Sequence, residues 1–452
     1  MRIIDFFKPT PILPEIQNQE EVKKKYKYWR WRIFFGIYIG YVFYYFSRKS
    51  YACIMPLLIS DLGFTKGDLG ILGSVLALTY GLSKFLSGIL ADRSNPRVFM
   101  SVGLIMTGVF NIGFGYASSV LWFAIFCGLN GCFQGWGSMP CMKLLTHWYS
   151  QKERGTWWGL WNSSHNVGGA IIPLIVGVCA QMFGWRFGML VPGLLCIGVG
   201  GFLLFTLRDT PQTLGLPPVE KFRNDYPDSN HAQEDHLSFK EILYKYIINN
   251  SYIWILAFAY FFVYVIRGAV NDWSTVFLRE TRGYSMVAAT ASIFWFEVGG
   301  LVGSFVAGWA SDKIFGGRRG PVNILFSLSV IVALIALWIA PPGNMILDYS
   351  LIFLIGFLIF GPQMLIGIAA VELAHKRAAA SANGFVGWIA YLGQAAAGYP
   401  LGKAMEIWGW EGFFITLIFC GGIAVLLLAP LWSIKSNPKY AIPEPAPEKQ
   451  TA

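Results

Sequence analysis

Charge is what this sequence has least of. Over 452 residues only 13% are Asp, Glu, Lys or Arg, against about 25% in a soluble globular domain. So little charge cannot cover a water-facing surface of this size, which points to a surface that faces lipid. The seven cysteines (Cys53, Cys127, Cys132, Cys141, Cys179, Cys196 and Cys420) all lie in apolar stretches and form no CxxC pair. They read as small hydrophobes, so neither a disulfide framework nor a metal site is expected. There is no nucleotide-binding loop, so transport coupling to ATP is excluded and no cofactor is expected. Paired carboxylates, an HxE zinc pattern and a nucleophile constellation are missing too, which argues against an intramembrane phosphatase or transferase. The first 32 residues are polar, with Lys23-Lys24-Lys25 and no short apolar core, so no cleavable signal peptide is expected.

What is present is long apolar runs. Hydrophobic residues make up 55% of the chain and the mean hydropathy is +0.50. The runs are continuous rather than alternating, which predicts an all-α polytopic membrane protein and excludes a β-barrel. Twelve spans are predicted, over 31–58, 68–91, 98–117, 119–146, 155–182, 187–207, 251–278, 285–311, 320–341, 349–374, 379–405 and 412–434. The net charge of +10 is dispersed over loops, which fits positive-inside topology and not nucleic-acid binding. Only Lys66, Arg186, Arg279 and Arg282 fall in loops of one parity; the tails and the other loops carry most of the rest. Both termini of this multi-pass protein are therefore expected in the cytoplasm.

The one long loop, 208–250, separates two six-span halves, 1–207 and 251–452. Pro211, Pro217, Pro218 and Pro227 make it irregular, and Ser238-Phe239-Lys240-Glu241 reads as a capping box leading into the seventh span. Three landmarks recur in the same order. Gly88-x-x-x-Asp92-Arg93 returns as Gly308-x-x-x-Asp312-Lys313, Gly184-Trp185 as Gly409-Trp410, and Tyr45/Arg48 as Tyr264/Arg267. Duplicated six-helix bundles with a midplane site are the layout of alternating-access carriers.

Arg48 stands inside the apolar run from Ile33 to Ile59, and Arg267 inside the run from Ile253 to Val276. A mid-membrane arginine costs about 2.5–3.5 kcal/mol on the insertion scale, so such residues usually face a polar interior. Tyr41, Tyr45 and Arg48 are spaced i, i+4, i+7 and share one helix face. Two arginines from opposite halves, each beside tyrosines, read as a two-pronged anion site. A guanidinium suits a phosphomonoester because its planar fork makes bidentate, charge-assisted hydrogen bonds and stays protonated when buried. Lys84, one turn after Tyr80, reads either as a third cation for phosphate or as a structural lysine paired with Glu297 or Asp272. Those two carboxylates read equally as gate ion pairs or as ligand contacts. Tyr41, Tyr45, Tyr264, Tyr391 and Gln134 are candidate donors to substrate oxygens, and Asn162 lies three residues before His165. Asp92, Arg93, Arg97, Asp312, Lys313 and Arg318, at the ends of the second and eighth spans, are candidates for gating charges that lock and release the two bundles.

Gly88-Ile-Leu-Ala-Asp92-Arg93-Ser-Asn-Pro-Arg97 resembles the loop signature of the major facilitator superfamily. Tyr44-Tyr45-Phe46-Ser47-Arg48-Lys49, Tyr80-Gly81-Leu82-Ser83-Lys84-Phe85, Trp161-Asn162-Ser163-Ser164-His165-Asn166-Val167-Gly168-Gly169, Asp209-Thr210-Pro211, Gly215-Leu216-Pro217 and Phe360-Gly361-Pro362-Gln363-Met364-Leu365-Ile366-Gly367 go further. They resemble the organophosphate:phosphate antiporter family, most of all its hexose-6-phosphate carriers and receptor-like members, from about Trp29 to Trp432. The resemblance implies phosphate binding by Arg48, Arg267 and His165, and exchange of a sugar phosphate, glucose-6-phosphate first, for inorganic phosphate by a monomer in the bilayer. It also leaves open a receptor for external glucose-6-phosphate with a histidine-kinase partner, and a glycerol-3-phosphate antiporter. Some hexose-phosphate carriers have an acid and a lysine one turn apart in the eleventh span; the matching Asn383 and Val386 are uncharged.

Overall fold

The computed structural model describes residues 7–225, 247–374 and 379–434, apart from the side chains of Phe85, Ile89, Asp92, Arg93, Ala379 and Ala380. The described residues are helical and contain no β-strand. Seven of the spans are single helices in the predicted places: Lys66–Arg93, Pro96–Tyr116, Phe187–Thr206, Ser251–Arg282, Met286–Lys313, Arg319–Ile339 and Met345–Leu373. The first span belongs to a longer helix, Gln19–Leu62. Its 44 residues reach about 66 Å at 1.5 Å per residue, twice the hydrocarbon thickness of a bilayer, so its first turns stand outside the membrane. Asn18 starts it by accepting from the backbone N–H of Glu20 at 3.1 Å, and Gly63, at φ 68°, ends it.

The fourth, fifth and eleventh spans are broken, each at a small residue. The fourth runs as Val120–Gln134 and Ser138–Trp148 across Gly135 and Gly137, and the fifth as Gln151–Asn162 and Ser164–Phe183 across Ser163. The predicted eleventh span, 379–405, is interrupted at Ala397–Gly398 between the helices Ala379–Ala396 and Tyr399–Leu428. The second of these continues across Gly409, whose φ of 62° and ψ of −155° mark the turn into the twelfth span. Gly184, between the fifth and sixth spans, has φ 88°. The two Gly-Trp landmarks thus share one physical cause, a positive φ that only glycine adopts without strain.

Lipid gives helices little hydrophobic reason to associate, so close packing falls to small residues. The halves meet through the second span against the eleventh, the fifth against the eighth, and the first against the seventh. At Gly70 an added methyl would lie 2.6 Å from the carbonyl oxygen of Gly398, and at Gly402 2.5 Å from that of Lys66. On this face, opposite the termini, Lys66 pairs with Glu280 at 2.7 Å, Gly67 N–H donates to Glu406 at 2.6 Å, and Ser74 donates to the Ala395 carbonyl at 2.6 Å. Among the described residues, the polar contacts between the halves lie on this face or at mid-membrane; none joins them at the face that carries the termini. There the tail and the first helix pack on the start of the central loop: Leu13 N–H donates to the Gln212 carbonyl, and Tyr26 stacks on Phe222 at 3.9 Å. The capping box expected at 238–241 lies outside the described residues.

Candidate functional site

Helical spacing puts Tyr45 and Arg48 on one face of the first span and Tyr264 and Arg267 on one face of the seventh. The packing then turns those faces toward each other. The guanidinium of Arg48 lies over the ring of Tyr80 at 4.0 Å, beside Tyr45 at 5.3 Å and Tyr391 at 6.0 Å. That of Arg267 lies over Phe360 at 4.9 Å and Tyr264 at 5.5 Å. Tyr391 bridges the two, 4.8 Å from Tyr80 and 5.6 Å from Tyr264. On the far side the His165 ring stacks on Phe360 at 6.4 Å and lies 5.8 Å from Tyr45. The result is a closed circuit, Tyr45–Arg48–Tyr391–Tyr264–Arg267–Phe360–His165–Tyr45, built from spans of both halves.

The circuit concentrates positive charge and little to neutralise it. Nε of Arg267 is buried without a hydrogen-bond partner. Lys84 faces the Tyr391 ring at 5.4 Å. Neither predicted carboxylate reaches it, because both have other partners. Asp272 pairs with Lys49 at 3.0 Å and accepts from Gln394 at 3.0 Å. Glu297 is fully buried and accepts from Asn271 at 3.0 Å and Asn166 at 3.1 Å. A guanidinium held against an aromatic face by the ring quadrupole can still direct in-plane N–H donors at an anion.

His165 Nδ1 contacts the backbone oxygen of Asn162. A carbonyl only accepts, so in this contact Nδ1 carries the proton, and Nε2 has no hydrogen-bond partner among the described residues. Asn162 enters through this carbonyl, and its side chain is exposed. Tyr41 packs on Trp161 at 4.8 Å and on Tyr45 at 5.8 Å. Gln134 is not brought into the circuit. It is buried behind the first span, donating to Ser47 Oγ at 2.9 Å and the Tyr44 carbonyl at 3.1 Å, which ties the fourth span to the first.

The gating candidates divide. The side chains of Asp92 and Arg93 lie outside the described residues. Arg97 has its Nε buried without a partner, and Lys313 is exposed. Asp312 pairs not with Arg318 but with Arg319, at 2.5 Å, which also holds Glu372 at 2.7 Å. This triad stays within one half. Asp272 and Glu297 do join the halves, Asp272 through Lys49 and Glu297 through Asn166.

Lys49, Asn271, Asn166 and Phe360 were missed as site residues. Lys49 carried a signal, a second cation inside an apolar run, but Arg48 beside it drew the reading. It also contacts Asn271. Leaving one member of a buried ion pair alone typically costs about 3–5 kcal/mol, more than removing both. Asp272→Asn is therefore expected to destabilise the protein in detergent by about 3 kcal/mol, and Lys49→Met with Asp272→Asn by clearly less. Thermal unfolding of the single and double variants checks this; additive losses would show that the pair is not coupled.

The model of the Major Facilitator Superfamily matches residues 37–398. A probable hexose phosphate transport protein of Chlamydia pneumoniae is 54% identical over 439 residues, 95% of this chain and 96% of its own. The membrane sensor protein UhpC of Salmonella typhimurium is 48% identical, over 95% and 97%. The crystal structure of a bacterial homolog of the human lysosomal transporter Spinster, described as inward-facing and unoccupied, superposes with a TM-score of 0.72 at 16% identity, covering 89% of this chain and 96% of that one. The chain belongs to the major facilitator superfamily, a class of multi-pass membrane transporters rather than enzymes, and within it to the organophosphate:phosphate antiporter group.

Proposed function

We propose that this protein exchanges a sugar phosphate, glucose-6-phosphate first among candidates, for inorganic phosphate by alternating access. The observation that carries this is the closed circuit, in which Arg48 and Arg267 approach from opposite halves and, among the described residues, form no ion pair with a carboxylate. A phosphate group between them neutralises both and links the halves 1–207 and 251–452, which rock about it, joined by 208–250. With both termini in the cytoplasm of a bacterium, the face closed by Lys66–Glu280 and Gly67–Glu406 is the outer one, and this conformation opens inward. Opening outward requires those contacts and the Lys49–Asp272 and Asn166–Glu297 links to part. Tyr45, Tyr264 and Tyr391 supply hydroxyl donors to the substrate, and Lys84 a third cation. The relatives' names support the substrate class: one is called a "probable hexose phosphate transport protein".

His165 presents a lone pair at Nε2 when neutral, so it accepts from a protonated phosphate oxygen; when charged it donates to a dianion. Either way it meets the group that both substrates share. His165→Ala is expected to weaken inorganic phosphate and sugar phosphate alike, by about tenfold, the worth of one charge-assisted hydrogen bond. Competition against labelled phosphate in proteoliposomes measures both; a loss confined to the sugar phosphate would place His165 on the sugar side.

A second reading, a receptor for external sugar phosphate, is favoured by the likeness to a membrane sensor protein. A receptor signals from one bound orientation and needs little turnover. Labelled phosphate uptake into vesicles, with glucose-6-phosphate and glycerol-3-phosphate as competitors, separates the readings. Competed uptake supports the carrier and ranks its substrates, whereas saturable binding without uptake supports the receptor.

A further inference from the structure

A cavity of about 670 Å³ lies away from the aromatic circuit, in a groove between the emerging end of the first span and the sixth. Its lining is ordered by polarity along one stripe of the first helix. Lys24 and Lys27 come first, then Trp31 and Arg32, then Phe35 and Ile39, with Phe202 facing them from the sixth span. Positions 24, 27, 31 and 35 fall on one face by their i, i+3, i+7, i+11 spacing. The apolar run begins at Ile33, so Phe35 and Ile39 sit at hydrocarbon depth and the cations just beyond it. That is the order of polarity in a phospholipid seen from its tail to its headgroup.

The charges here await an anion. Among the described residues no carboxylate lines the cavity. Lys23 and Lys25, on other faces of the helix, are paired with Glu20 at 3.2 Å and Glu21 at 2.8 Å, whereas Lys24 and Lys27 are exposed and in no ion pair among the described residues. The Arg32 guanidinium lies over Trp29 at 4.9 Å and donates to the Phe205 carbonyl at 2.8 Å. Arg208 meets the same Trp29 ring at 5.0 Å. It is held below the ordinary guanidinium value, first by burial and then by the charges of Arg97 and Arg32, so positive charge is crowded at this corner.

We propose that this groove binds an anionic glycerophospholipid of the leaflet on the terminus-bearing side. The headgroup phosphate lies among Lys24, Lys27 and Arg32, and the acyl chains run along Trp31, Phe35, Ile39 and Phe202. A zwitterionic lipid would bring its own ammonium into the cationic cluster, so the site discriminates by charge. It acts on the helix that carries Arg48 and Lys49, whose depth in the bilayer a bound lipid holds.

Native mass spectrometry of the full-length protein in detergent, titrated with phosphatidylglycerol or phosphatidylethanolamine of identical chains, tests this. Phosphatidylglycerol is expected to bind tighter by about 25-fold or more, about fivefold for each of the two lysines, and Lys24→Gln with Lys27→Gln to remove most of that preference. Both lysines are exposed, and an unchanged unfolding temperature checks that the variant is folded. Millimolar inorganic phosphate should leave the lipid bound; its displacement would make the groove a site for free phosphate and overturn the proposal. Equal binding of the two lipids, or an unchanged preference in the folded variant, would overturn it as well.

Discussion

Replacing Arg48 or Arg267 by lysine is expected to abolish measurable phosphate exchange, a loss of about a hundredfold or more, with protein yield unchanged. Each guanidinium is set against aromatic faces, Arg48 over Tyr80 at 4.0 Å and Arg267 over Phe360 at 4.9 Å. A guanidinium stacked on a ring can still present its in-plane fork to two phosphate oxygens at once. Lysine keeps the charge but loses the plane that stacks and the second donor of the fork. A hydrogen bond to a charged group is worth about 1.5–3 kcal/mol, and 1.4 kcal/mol is tenfold, so losing the bidentate geometry reaches the predicted size. Yield should hold, because a lysine at either position still finds the aromatic rings as cation partners. Labelled phosphate exchange in proteoliposomes is the measurement. Near wild-type rates in both lysine variants would remove the two-arginine site.

The second large effect is on vesicles rather than on a residue. Vesicles loaded with phosphate are expected to take up labelled glucose-6-phosphate, and empty vesicles to take up almost none. Arg48, Arg267 and Lys84 gather at one aromatic circuit and have no carboxylate ion-pair partner among the described residues. An uncompensated buried charge costs several kcal/mol even after relaxation. Closing the empty site on both sides, as reorientation requires, exposes the protein to that cost in full. Each 1.4 kcal/mol slows the step tenfold. A bound phosphate removes the penalty, so only the occupied protein crosses and transport is strict exchange. Equal uptake into empty and loaded vesicles would refute this, whatever the sugar.

The two arginines inside apolar runs, the apolar spans and the recurring landmarks were legible because each is a local departure from a simple pattern. A charge within an apolar run is conspicuous without any knowledge of its neighbours, and so is a landmark that returns more than two hundred residues later. Gly184 and Gly409 were legible in the same way, since the positive φ that each supplies is a property of one residue. Broken spans were less so. Ala397–Gly398 interrupts an unbroken apolar run, and the close approach of Gly70 to Gly398 is made by a helix over three hundred residues away.

What the chain alone determined is which residues are expensive to leave in lipid and which helix face each one occupies. Hydropathy and helical period follow from the transfer free energy of side chains and the geometry of one helix, so they need no partner. The tertiary structure decided who neutralises whom. Asp272 was free on paper to serve Lys84 and is taken by Lys49; Asp312 takes Arg319 rather than Arg318; Gln134 braces two helices instead of facing the circuit. Phe360, which closes the circuit between Arg267 and His165, looks in sequence like any core phenylalanine. The reason is common to all four: a periodic pattern gives the direction of a side chain from its own helix axis, but an ion pair or ring contact depends on the rotation and depth of a second helix, and those are set only when all twelve pack together.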